Sequence, residues 1–90
     1  MRGFDANQVS PGSMWEVERS SRRGLIGYSD VVLYIADTIV LPPGSSFVVL
    51  QVLEERADRI GLIRVLTGGN VCYLPSFIFT SMLDRIKRLK

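Results

Sequence analysis

The chain has no histidine among its 90 residues and a single cysteine, Cys72. The first absence removes histidine general bases, Cys-His and Ser-His nucleophile pairs, and histidine metal sites. The second removes an intramolecular disulfide and leads to the expectation of a reducing, cytoplasmic setting. Excess charge is also scarce: eleven Lys/Arg face nine Asp/Glu, a formal net charge of +2, too small by itself to argue for nucleic acid. No apolar run approaches the roughly 18 residues that cross a bilayer, because Asp30, Asp37, Pro42 and Gln51 interrupt the apolar stretches. The opening Met-Arg-Gly-Phe-Asp-Ala-Asn lacks the apolar stretch of a signal peptide, so a soluble chain with no membrane partner is expected. Glycines are single or paired and never form a phosphate cradle of the type GxxxxGK[ST] or GxGxxG. Acidic residues are scattered, and Glu54-Glu55 beside Arg56 and Arg59 reads as a solvated, charge-balanced turn. The expectation is a non-enzyme without cofactor or metal.

What is present is an apolar fraction of 47% against 22% charged residues, the balance of a chain that folds as one small domain. Residues 1–11 are polar and without periodicity and read as an arm, leaving residues 12–90 as the domain. From Ser13 to Arg19 apolar and polar residues alternate, the mark of a half-buried first strand carrying Trp15 and Val17 on one face. A hydrophilic turn at Ser20 to Gly24 and an irregular stretch around Gly27 precede Val31–Ile35, dense in β-branched and aromatic residues and read as a strand. Pro42-Pro43 excludes a central strand or helix at that point. Three further strands follow as a meander, over Ser46–Glu54, Arg59–Leu66 and Val71–Leu74, the last two joined by a Thr67-Gly68-Gly69-Asn70 turn. The stripe Phe79, Met82, Leu83, Ile86 and Leu89 then predicts a short amphipathic helix over 77–89 with a basic end.

Short strands joined by glycine and proline turns argue for a small barrel or sandwich. The segment Val71-Cys72-Tyr73-Leu74-Pro75-Ser76-Phe77-Ile78-Phe79 resembles the closing segment of SH3 domains, where a strand ends in aromatic, apolar, Pro, Ser and then Asn and Tyr. Upstream, Ile39 to Leu50 is similar to the SH3 stretch that leads from a glycine turn into an apolar-x-Val-Leu strand. The resemblance spans roughly residues 30–80 and implies a mainly β, five-stranded SH3-like barrel closed by the C-terminal helix. It also implies loops and an open face that bind a partner, with Pro75 and Tyr34 at positions like those of the family's peptide groove. Two departures argue against proline-rich ligands: Phe77 and Ile78 replace the Asn and Tyr, and no Trp lies between Leu53 and Leu62.

The leading expectation is a non-catalytic protein-binding module using Trp15, Tyr28, Tyr34, Pro75, Phe77 and Phe79, since amphipathic aromatics anchor interfaces. Phe77-Ile78-Phe79 cannot all face one side of a helix, so at least one should reach a second surface, either a neighbouring subunit of a homo-oligomer or the N-terminal arm folding back. The alternative is an RNA- or DNA-binding barrel using Arg19, Arg22 and Arg23 with Arg85, Lys87, Arg88 and Lys90. A third reading is an architectural subunit of a larger assembly, such as a phage or viral one, whose arm orders on assembly.

Overall fold

The computed structural model describes residues 9–20 and 22–90. Most of the expected arm, residues 1–8, lies outside the described residues. Val9, assigned to that arm by its neighbours' polarity, is 2% exposed and sits in the core.

The fold is mainly β, one antiparallel sheet of seven strands in the order β3-β2-β6-β5-β4-β1-β7. Its strands are β1 Met14–Val17, β2 Leu25–Tyr28, β3 Thr38–Leu41, β4 Ser46–Leu53, β5 Leu62–Thr67, β6 Asn70–Pro75 and β7 Ile86–Arg88. The expected meander is β4-β5-β6, held by a long register from Val48↔Leu66 to Leu53↔Leu62 and from Leu62↔Pro75 to Thr67↔Asn70. A register shift between Val49 and Gln51 bends β4, which pairs β1 over Ser46 to Val48 on one edge and β5 from Val48 to Leu53 on the other. Period-2 alternation sends Phe47, Val49, Ile63, Val65, Cys72 and Leu74 to one side, where they meet Trp15, Val17 and Leu25 in a single core.

Three expectations about elements are corrected. The strand count is seven where five were expected, and among the described residues no pairing joins β3 to β7, so the sheet is not closed by hydrogen bonds. Val31–Ile35 is no strand: it forms the tip of the β2–β3 hairpin, and the strand lies earlier, in the stretch around Gly27. Local bonds at the tip outweigh β-propensity there. Asp30 Oδ1 accepts from the Val32 amide (3.1 Å), Ser29 Oγ accepts from the Asp37 amide (2.9 Å), and the Ile35 and Ala36 amides donate to Val32 and Leu33 carbonyls.

The helix over 77–89 is the third correction. The chain instead makes one helical turn, α1 Ile78–Ser81, a 3₁₀ turn Leu83–Arg85, and then β7. A helix of that length is marginal in water, whereas β1 offers a free edge that β7 satisfies through Val17↔Ile86, Glu16↔Lys87 and Trp15↔Arg88. The apolar stripe is divided accordingly: Phe79 and Ile86 enter the core, Met82 packs against it, and Leu83 and Leu89 stay exposed.

Phe79 lies edge-on to Trp15, with ring centroids 5.2 Å apart at 84°, and edge-on to Phe47 at 6.2 Å and 81°. These contacts tie the α1 turn to β1 and β4. Trp15 Nε1 donates to Ser13 Oγ (3.1 Å), which in turn donates to the Ser10 carbonyl, so the buried indole keeps a polar partner. Phe79→Ala is therefore expected to lower unfolding stability by about 3–5 kcal/mol, while Phe77→Ala, at an exposed position, changes it by less than about 1 kcal/mol. Denaturant titration followed by Trp15 fluorescence checks the contrast, and equal effects at the two positions would contradict it.

Candidate functional site

Two glycines place β2 where a surface site forms. Gly24 has φ +68, and a Cβ there would strike the Leu41 carbonyl oxygen, so only glycine lets the Arg22-Arg23 turn press onto the end of β3. A Cβ at Gly27 would lie 3.1 Å from Cys72 Sγ and 3.3 Å from Leu74 Cδ2, which is why β2 can lie against the β6 core residues. With Leu25 and Gly27 turned inward, Ile26 and Tyr28 face out.

On that outer side Tyr28 pairs Tyr73, and Tyr73 pairs Arg64, giving a cross-strand aromatic and cationic row. Beside it, Ile26, Tyr28, Pro75, Phe77 and Met82 line a groove of about 300 Å³ between β2, the end of β6 and α1, with Arg23 and Arg85 at its rim. Ile26 is 52% and Phe77 51% exposed, large apolar side chains held open to water. The groove is fixed from both ends. The Ser76 amide donates to the Gly61 carbonyl (2.9 Å), and the Glu18 amide donates to the Arg85 carbonyl (2.8 Å).

The six aromatic and proline positions named from sequence divide. Tyr28, Pro75 and Phe77 meet in this groove, Pro75 as a buried wall. Trp15 and Phe79 are core residues at 6% and 4% exposure and present no docking surface; the sequence shows their aromatic character but not which side of the sheet they take. Tyr34 is 90% exposed and stands apart, in a cleft of about 630 Å³ between the β2–β3 tip and the β4–β5 turn, opposite Asp58, Arg59 and Ile60.

The basic residues also divide. Arg22, Arg23 and Arg85 line one cleft of about 330 Å³ with Ser20 and Asp84, next to the groove. Arg19 lies elsewhere, 3.7 Å from Glu16. Lys87 faces Glu16 across β1–β7, and the Arg88 guanidinium sits 5.8 Å from the centre of the Trp15 ring as a cover over the core. Lys90 is tied by its backbone to Met14. The cleft therefore gathers three of the seven basic residues, and the other four lie outside its lining.

Residues that sequence reasoning missed are Ile26, Ile78 and Met82, all lining the groove. Ile26 sits in the stretch read as irregular, and its outward direction depends on the β2–β6 register. Among the described residues no three His, Cys, Asp or Glu side chains gather as metal ligands, and no helix is long and apolar enough to cross a membrane.

Cys72 is fully buried, and burial raises its thiol to about 11. At pH 8 the folded chain should then be alkylated by iodoacetamide roughly a hundredfold or more slowly than the chain in urea, from the loss of thiolate alone; similar rates would show Cys72 to be accessible. Comparison with family models, with curated proteins and with solved structures finds no match for this chain.

Proposed function

We propose that the chain is a non-catalytic protein-binding module of SH3-like barrel architecture that grips a segment of another protein in the groove between β2, β6 and α1. The order of elements supports the architecture: a first strand, a long excursion, a three-stranded meander, a short helical turn, and a last strand that returns to β1. The bend in β4 and its pairing with both β1 and β5 give the curl that a small barrel requires.

The observation that carries the docking reading is the convergence of Tyr28, Pro75 and Phe77 with exposed Ile26 in one groove. Apolar and aromatic side chains that stay in water on a chain this small add nothing to its own core. A partner side chain seated on them would remove that surface from water, at about 25 cal/mol per Å² before the cost of ordering the partner. The groove is built on strand ends and a packed turn and not on a free loop, so it is largely formed before binding, which lowers that cost.

A random peptide library displayed on phage and selected against the folded chain tests this. Peptides should be enriched, and their affinity should fall at least about tenfold with Phe77→Ser while Tyr34→Ala, in the separate cleft, changes it little. No enrichment, or enriched peptides indifferent to Phe77→Ser, would overturn the proposal.

A further inference from the structure

We infer that the partner segment is acidic at one end: a peptide in which a few Asp or Glu residues adjoin bulky apolar ones. This rests on the groove being the docking site, and it goes further by naming what the groove selects.

Arg23 and Arg85 line both the apolar groove and the neighbouring cleft, so one continuous surface passes from apolar to cationic. In the cleft, Arg22, Arg23 and Arg85 place three guanidinium groups against the single carboxylate of Asp84. Among the described residues none of the three side chains has an ion pair or a hydrogen bond, whereas Arg19 and Arg59 each have a partner. Three like charges beside one carboxylate leave a net repulsion, a cost that a bound carboxylate would reduce.

Their placement is fixed by backbone and not by chance side-chain drift. Arg23 precedes Gly24, whose positive φ and contact with Leu41 set the turn. Arg85 ends a 3₁₀ turn whose amide donates to the Met82 carbonyl (2.9 Å) and whose carbonyl accepts from Glu18. Guanidinium groups bind carboxylates through paired N–H donors, so a peptide with its apolar side chains on Ile26 and Phe77 brings neighbouring acidic residues within their reach. A peptide is favoured over nucleic acid because the cationic cleft leads directly into an apolar surface, which offers a phosphate backbone nothing to bind.

The test uses fluorescein-labelled octapeptides and fluorescence anisotropy. One peptide carries four Glu residues followed by Leu-Pro-Leu-Phe, and the others replace the four Glu by Gln or by Lys. The Glu peptide should bind at least about tenfold more tightly than the Gln peptide and weaken as salt rises from 50 to 300 mM. The exposed pair Arg22→Glu/Arg23→Glu should remove that preference and shift it toward the Lys peptide, with Arg85→Gln acting in the same direction. Equal binding of the Glu and Gln peptides, both lost with Phe77→Ser, would overturn the acidic preference and leave the groove reading standing. If none of the peptides binds at 100 µM, the inference falls, and the groove reading then depends on its own library selection. If a mixed-sequence oligonucleotide binds through the arginines as tightly as the Glu peptide, and Phe77→Ser changes neither, the cleft is a general polyanion site and the inference is wrong.

Discussion

The edge-on packing of Phe79 between Trp15 and Phe47 is the contact on which the rest of the molecule depends. It brings residues from the start, middle and end of the chain to one point in the core. With Phe79 buried, α1 has only one orientation available, and Phe77, two residues earlier, is carried to the opposite side. The same anchor directs the chain after Met82 toward β1, where Ile86 enters the core and β7 covers an edge that would otherwise expose unpaired backbone groups. Core and groove are thus two sides of one short segment, Pro75 to Met82.

That coupling explains an apolar content high for a small domain. The inner set, from Val9 to Ile86, makes one core, and part of the surplus lies on the outer side of β2, β3 and α1, at Ile26, Val40 and Phe77, with more at the β2–β3 tip, at Tyr34 and Ile35. Isolated exposed apolar residues are ordinary in small proteins, but Ile26 and Phe77 line one groove, and Val40 is the cross-strand neighbour of Ile26. Positioning of the arginines draws on the same scaffold, since Gly24 and the Glu18–Arg85 backbone bond hold the cationic end beside the apolar floor.

Much of this was legible in the residues, and the failures have a common cause. Alternation and the Gly68-Gly69 turn disclosed β4, β5 and β6, because local pattern and tertiary environment agree there. The pattern misled where tertiary partners overrode it. Val31–Ile35 has strand composition but sits at a hairpin tip bound by Asp30 and Ser29, and the helical stripe after Phe79 gave way to pairing with β1. Of Phe77-Ile78-Phe79, which cannot all face one side of a helix, Ile78 and Phe79 are buried and Phe77 is exposed. Which aromatics share a site was not legible. Tyr28 and Phe77 are nearly fifty positions apart and meet only through the β2–β6 register. Likewise Arg22 and Arg23 share a cleft with Arg85, a neighbourhood that no local pattern in the residues discloses.

The groove walled by β2 and α1 is the surface proposed to dock a partner. Amide chemical-shift mapping by two-dimensional ¹H–¹⁵N NMR, with the four-Glu, Leu-Pro-Leu-Phe peptide titrated into the labelled chain, tests it most directly. The largest shifts should cluster at Arg23 to Tyr28 and Phe77 to Arg85 and leave Val31 to Tyr34 and Asp58 to Ile60 nearly unmoved. Shifts concentrated at those latter residues, or spread without pattern over the sheet, would contradict it.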